Sequence, residues 1–239
     1  MNRWQTGKGT TIRRVIGGRS NVFLISKNGR FILVDTGTAH NLQRLEKRLY
    51  ALSVTAENLS ALILTHVHFD HVGNAARIRE KYGVKIIVHE REAALLESGR
   101  NAPLDGAFPV TRWLYRLAHG ESILNGMTFN PLRWDIAVQG RCDLGEFGFD
   151  ACILPTPGHT VGSQSVIVDD EIAIVGDALF GVFPGSVYPP WAADADLMIK
   201  SWKILLDTGC RLFHPSHGRP RDRETLLGQY KKHSARLKK

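Results

Sequence analysis

Thr65-His66-Val67-His68-Phe69-Asp70-His71 puts four metal-ligand side chains within six residues. The stretch directly follows an apolar run containing Leu59, Ala61, Leu62, Ile63 and Leu64, which reads as a buried strand. The cluster therefore falls where a strand ends and a helix begins, and in open α/β sheets sites form at the carboxyl ends of strands. Alternate residues of an extended segment face one way, so His66, His68 and Asp70 project together while His71 follows at the turn. These are too many ligands for one tetrahedral zinc with an open position. The excess suggests two metals once further ligands are found downstream.

Upstream, Thr10 to Ile16 reads as a first strand. The runs NVFLIS (21–26) and FILV (31–34) flank Lys27-Asn28-Gly29-Arg30, and Asn-Gly between apolar runs predicts a hairpin. Leu42, Leu45, Leu49 and Leu52 predict a helix over about residues 40–52. Downstream, residues 71–82 have a helical pattern, and Gly83 suits its C-terminal cap. Residues 85–88 read as a strand and 90–97 as a short helix. Strands are expected at 133–138, 148–155, 163–168, 172–175 and 212–213, with helices over 194–206 and 221–237. Such alternation builds layered α/β folds.

Three further ligand-type residues stand at strand ends beside glycine. His159 lies in Pro155-Thr156-Pro157-Gly158-His159-Thr160, Asp177 in Val175-Gly176-Asp177, and His217 in His214-Pro215-Ser216-His217-Gly218. Glycine lets the backbone turn sharply or approach a ligand closely. One such residue is most simply a cap or turn; three together with the opening cluster are hard to explain that way.

In this order, VDTG at 34–37, THVHFDH at 65–71, PGHT at 157–160, GDALF at 176–180 and SHG at 216–218 resemble the metallo-β-lactamase-fold hydrolase superfamily. The resemblance implies an α/β fold, a four-layered αβ/βα sandwich with two mixed β-sheets, as a single domain over residues 1–239. It implies that His66, His68 and His159 hold one divalent metal ion and that Asp70, His71 and His217 hold a second. Asp177 would bridge the two, and Asp35 would steady the ligand loop from behind. Zn2+ suits these ligands, and Fe or Mn also fits. In such sites a metal-bridging hydroxide is the nucleophile, and Asp70 would act as the catalytic residue that orients it.

The expected reaction is hydrolysis of a small ester, thioester or lactone. GDALF resembles the matching run of glyoxalase II-like thioesterases. Lactonases tend to place tyrosine where this chain has Phe180. The stretch after His217 is too short for the helical domain that completes a glutathione site, so the analogy is to a short glyoxalase II-like enzyme. Two alternatives share the motif: a nucleic-acid phosphodiesterase and a mononuclear-iron persulfide dioxygenase-like oxidoreductase. Phe180, Phe183, Tyr188 and Trp191 are the candidate substrate pocket. Residues 98–132, broken by Gly and Pro yet carrying Phe108, Trp113, Leu114, Tyr115 and Leu117, read either as a lid or substrate-binding insertion or as a surface helix.

Composition reads as an ordinary soluble profile: 43% hydrophobic and 23% charged among 239 residues. A core of this size needs no structural metal or disulfide. Cys142, Cys152 and Cys210 are widely spaced and odd in number, against a disulfide framework. The N-terminus lacks a signal-peptide pattern, and no run approaches the roughly 18 apolar residues of a membrane span. A cytoplasmic protein with a small-molecule substrate and no membrane partner is expected. The net charge of +8 gathers partly at Lys231, Lys232, Arg236, Lys238 and Lys239, a solvated face or an anion-binding one. A nucleic-acid partner is disfavoured, since only Tyr230 interleaves this patch.

Overall fold

The computed structural model describes residues 2–235 and 237. Its first sheet has seven strands in chain order: β1 (Arg3–Gln5), β2 (Thr11–Ile16), β3 (Val22–Lys27), β4 (Arg30–Val34), β5 (Leu59–Ile63), β6 (Lys85–His89) and β7 (Ile136–Val138). β1 to β4 pair antiparallel, and β4 to β7 parallel. The second sheet has six strands: β8 (Cys142–Asp143), β9 (Ala151–Pro155), β10 (Gln164–Val168), β11 (Ile172–Gly176), β12 (Leu212–Pro215) and β13 (Arg221–Asp222). There only β11 and β12 run parallel.

Period-two patterning explains the layers. In β3, Phe23 and Ile25 face the core between the sheets, while Val22 and Leu24 face the outer helices. In β11, Ile172 and Ile174 face that shared core, while Ala173 and Val175 face out. The helices α1 (Leu42–Ala51), α3 (Ala75–Tyr82) and α4 (Glu90–Ser98) cover the first sheet. The helices α7 (Ala195–Asp207) and α8 (Arg223–Ser234) cover the second. This is the expected four-layered sandwich. No described helix is long and apolar enough to cross a membrane.

The Asn28-Gly29 hairpin forms as read, with φ of 49° and 76° and Lys27 opposite Arg30. Where a helix was expected over residues 71–82, the structure has a one-turn α2 (Phe69–Val72), a break, and then α3. The helical path is left just after Gly73, at Asn74 (φ −114°, ψ 5°), whose N–H donates to Thr36 Oγ1 at 3.1 Å and whose side chain donates to the Thr36 and Thr38 carbonyls. Gly73 permits the close approach, since a Cβ there would lie 2.6 Å from the Phe69 carbonyl and 2.7 Å from Gly37 O and Ala39 N. The short strands β1, β8 and β13 escaped the sequence reading, being too brief for alternation to register. Residues 98–132 carry two helices, α5 (Pro109–Leu117) and α6 (Gly120–Gly126). All three cysteines are free. Arg236, Lys238 and Lys239 of the basic C-terminus lie outside the described residues.

His214 on β12 is buried against Trp4 and Phe23, ring centroids 4.2 and 5.4 Å away, and neither ring nitrogen finds a hydrogen-bond partner. Burial, assisted by Arg14, depresses its pKa to about 3.

Two predictions follow from packing and burial. Gly73→Ala must displace backbone and should cost about 1–3 kcal/mol, as overpacking does. Gly228→Ala, mid-helix with open space around it, should gain about 0.5–1 kcal/mol; urea unfolding of both variants checks the contrast. For His214, the unfolded chain takes up the proton near pH 6.5 and the folded chain only near 3. Stability should therefore fall as the pH drops across that window. His214→Leu should lose less stability than the parent between pH values of about 7 and 4, measured by urea midpoints at each pH.

Candidate metal centre

The seven residues singled out in the sequence meet at one edge of the sandwich. His66 and His68 leave the end of β5, Asp70 and His71 sit in α2, and His159, Asp177 and His217 follow β9, β11 and β12. Their ligand-type atoms form three overlapping sets, each within 4.8 Å: His66, His68, His159; His66, His71, Asp177; and Asp70, His71, His217. Asp177 stands between them. Its Oδ1 is 3.7 Å from His71 Nε2, and its Oδ2 is 3.6 Å from His159 Nε2 and 3.1 Å from His217 Nε2. It can come this close to β5 because the preceding residue is Gly176 at φ 53°, where a Cβ would meet the Thr65 side chain at 2.8 Å.

The ring nitrogens that face away from the centre are spoken for. His68 Nε2 donates to the Ala102 carbonyl at 3.0 Å, His159 Nδ1 to the Trp191 carbonyl at 3.0 Å, and His71 Nδ1 to Asp35 Oδ2 at 2.9 Å. Each bond fixes the tautomer that leaves a bare lone pair on the inward nitrogen. Inside the ring, His66 Nε2, His71 Nε2 and Asp177 Oδ1 are buried without a partner. Three orphaned polar atoms in one spot cost too much to be left so, and a cation coordinated among them satisfies all three.

Asp35 lies behind the cluster, among the backbone and side chains that carry it. It accepts from Thr65 N and Thr65 Oγ1, each at 2.8 Å, as well as from His71.

The charge balance points the same way. Burial, then the neighbouring imidazoles, push His66 and His68 well below the ordinary histidine value, and burial also lowers His159. Burial opposes the charged form of His71 as well, yet Asp177, Asp70 and Asp35 hold its pKa up to about 10. Burial alone would raise the Asp177 carboxyl; His217, His71 and His159 outweigh it and hold it below the usual range. The centre thus sets the neutral rings of His66, His68 and His159 beside His71 and His217, which the carboxylates around them draw toward the charged form; the same carboxylates would hold a cation.

The centre floors a cleft of about 640 Å3. Phe180 and Trp191 line it as the sequence suggested, joined by Phe69, Leu114, Tyr115, Leu124 and Met127. Two pocket candidates lie elsewhere. Tyr188 is buried in the core, tilted against Phe108 at 4.4 Å and edge-to-face with Trp202 at 5.3 Å. Phe183 is 52% exposed and packs on Phe180, rings tilted by 37°, outside the cleft.

Sequence reading missed the supporting residues. Glu92 is fully buried and accepts from Val67 N at 2.5 Å and Gly162 N at 2.9 Å, joining two ligand loops. Asn101 accepts from Phe69 N at 2.7 Å and donates to the Leu124 and Met127 carbonyls. Nothing local marks either one, because their partners are distant in sequence.

Known proteins resemble this chain in sequence and in fold. A probable metallo-hydrolase of Bacillus subtilis, YqgX, is 30% identical over 161 residues, 66% of this chain and 64% of that protein. The hydroxyacylglutathione hydrolase GloC of Haemophilus influenzae is 33% identical over 140 residues, 58% of this chain and 57% of its own. The chain thus spans less than two thirds of either relative. The archaeal metallo-beta-lactamase superfamily protein ST1585 from Sulfolobus tokodaii superposes with a TM-score of 0.69 at 19% identity, over 92% of this chain and 85% of that one, a likeness of fold. Residues 15–224 match the model of the metallo-beta-lactamase superfamily, and the chain belongs to that superfamily.

Proposed function

We propose that this protein is a hydrolase of esters or thioesters that works with two divalent metal ions, zinc for preference. His66, His68 and His159 would hold one ion, Asp70, His71 and His217 the other, and Asp177 both. The observation that carries the reading is the set of inward lone pairs, each oriented by an acceptor behind it, at the floor of an apolar cleft. The relative named as a hydroxyacylglutathione hydrolase supports the thioester as the bond attacked. Imidazole with carboxylate suits zinc better than calcium or magnesium.

Bound ions would supply Lewis acidity toward the substrate carbonyl and lower the pKa of water toward neutrality. The chain's own residues do the rest. Asp70 lies on the cleft floor, its Oδ1 3.8 Å from His71 Nε2 and its Oδ2 3.7 Å from His217 Nε2. Both oxygens are beyond hydrogen-bond reach of those rings, so the carboxylate is available to take a proton from the attacking water and hand it to the leaving group. The Asp70 carbonyl is anchored by the Ser20 hydroxyl, and the His71 carbonyl by Thr36 N at 2.7 Å and Thr36 Oγ1 at 2.9 Å. The one-turn helix that presents both side chains is thereby held at two consecutive peptides. Apolar walls lower the local dielectric and strengthen every charge interaction at the floor.

Two outcomes test this. Elemental analysis of protein purified without added metal should find about two divalent ions per chain, as a dinuclear site requires, and Asp177→Asn should lose metal together with turnover of simple thioesters. Full metal and an unchanged rate in that variant would sink the proposal. Asp35→Asn should weaken metal affinity by about 10–100-fold, the usual effect of losing a residue that orients a ligand, as measured by chelator competition.

A further inference from the structure

The cleft is apolar along one wall and cationic at one point. Leu114, Tyr115, Ile123, Leu124 and Met127 of the α5–α6 segment form the wall. Leu114 and Ile123 remain 45% and 52% exposed although they line it, so the apolar surface runs from the floor out to the mouth. Large exposed apolar residues gathered at a cleft mark a surface waiting for an apolar ligand. Among the described residues, Arg19 is the only lysine or arginine that lines the cleft.

Arg19 has no carboxylate partner among the described residues, whereas Arg112 and Arg116 on α5 are both taken by Asp105, at 3.2 and 3.7 Å. Its guanidinium carbon lies 4.9 Å from the Phe69 ring centre, which steadies the side chain on a cleft residue next to Asp70. The backbone beneath is fixed. Ser20 bonds the Asp70 carbonyl. Asn21 Nδ2 donates to Pro215 O at 3.0 Å and to Gly218 O at 3.1 Å. The β2–β3 turn is therefore tied to two metal-ligand loops, and it holds an unpaired cation at the Asp70 end of the cleft.

We infer that Arg19 reads a negative charge on the leaving group of the substrate, and that the substrate class is an anionic thioester or ester with an extended apolar acyl chain. This rests on the hydrolase reading above. In the reaction the water oxygen bonds to the acyl carbon and the carbon–sulfur bond breaks. The sulfur keeps the bonding electron pair and receives the water proton through Asp70. The products are a fatty carboxylic acid and a thiol carrying the anionic group. Because Asp70 serves the leaving group, and Arg19 stacks beside Asp70 on Phe69, the leaving group lies at the Arg19 end. The acyl chain then runs along the α5–α6 wall, beside Trp191 and Tyr115, whose rings are 5.7 Å apart.

The test uses octanoyl thioesters of mercaptoacetate and mercaptoethyl phosphate against the neutral mercaptoacetamide thioester. Their non-hydrolysable thioether analogues are titrated by tryptophan fluorescence on the same metal-loaded protein. The parent should favour an anionic compound by about tenfold in kcat/KM and in analogue Kd, the scale of a charge-assisted contact. The preference should shrink with added salt, vanish in Arg19→Gln, and partly return in Arg19→Lys. Arg77→Gln, on the exposed face of α3, should leave it intact. A favoured carboxylate or a favoured phosphate identifies which anion is read. Equal handling of anionic and neutral compounds by the parent, or an undiminished preference in Arg19→Gln, would overturn the inference. Loss of the hydrolase reading would instead appear as no turnover of any thioester, and the analogue affinities would still decide the role of Arg19.

Discussion

One buried carboxylate, Asp35, holds the metal centre to the fold. It ends β4 in a left-handed conformation, φ 60°, and collects four donors: Thr65 N and Oγ1, His71 Nδ1 and, more distantly, Ser216 Oγ at 3.4 Å. A buried carboxylate is tolerable only when its lone pairs are filled, and here they are filled by the ends of β5 and β12, from both sheets. The same bonds that make Asp35 affordable fix where His66 begins, how His71 turns, and where the His217 loop leaves its strand. The ligand set is therefore a consequence of how the two sheets close on each other, and a shift in their packing would be felt first at these four bonds.

The other supports repeat this arrangement with weaker groups. Backbone carbonyls of Ala102 and Trp191 orient His68 and His159. Glu92 clamps the Val67 and Gly162 amides, although its burial raises its pKa above the ordinary carboxylate value. His68, His71 and His159 are each aimed by a partner at a different place in the chain, which keeps their geometry stiff without a dedicated structural element. The mouth is built otherwise, from side chains of α5 and α6 that are half in water, so shape there is set by packing and not by a hydrogen-bond lattice.

Much of this was legible in the residues. That His66, His68, Asp70, His71, His159, Asp177 and His217 gather at one place could be read because residue type and strand-end position are both local properties. The layers were readable because β3 to β6 and β9 to β11 carry alternating or continuous apolar runs. What escaped was relational. Tyr188 follows Phe180 closely in sequence, yet points into the α7–α8 core, because the turn through Gly185 reverses the chain between them. Arg19 precedes the cluster by more than forty residues, and only the β2–β3 turn brings it to Phe69. Glu92 stands in a short helix with other glutamates around it, and its buried partners Val67 N and Gly162 N are far away in sequence. The break at Gly73 was hidden because helical periodicity continues on both sides of it.

The α5–α6 segment enters and leaves the body at fixed points. Ala102 N bonds the Val67 carbonyl at 2.8 Å, and Leu132 N bonds the Leu96 carbonyl at 3.1 Å. Asn101 sits at the near end and grips both the floor and the far end of α6. Residues 103–131 are thus a cassette: they supply most of the cleft's apolar lining residues while providing none of the seven inward ligand-type side chains and neither of the carbonyls that aim His68 and His159. Its backbone tie toward the centre runs through Asp105 and Ala107, which bond Ala192 N at 2.9 Å and Pro190 O at 3.1 Å on either side of the Trp191 carbonyl that aims His159. Exchange of the cassette that kept this tie would change what the cleft accepts and spare the centre. A chain built this way can drift to new substrates quickly, because the part under chemical constraint and the part that chooses the substrate meet at only a few backbone bonds.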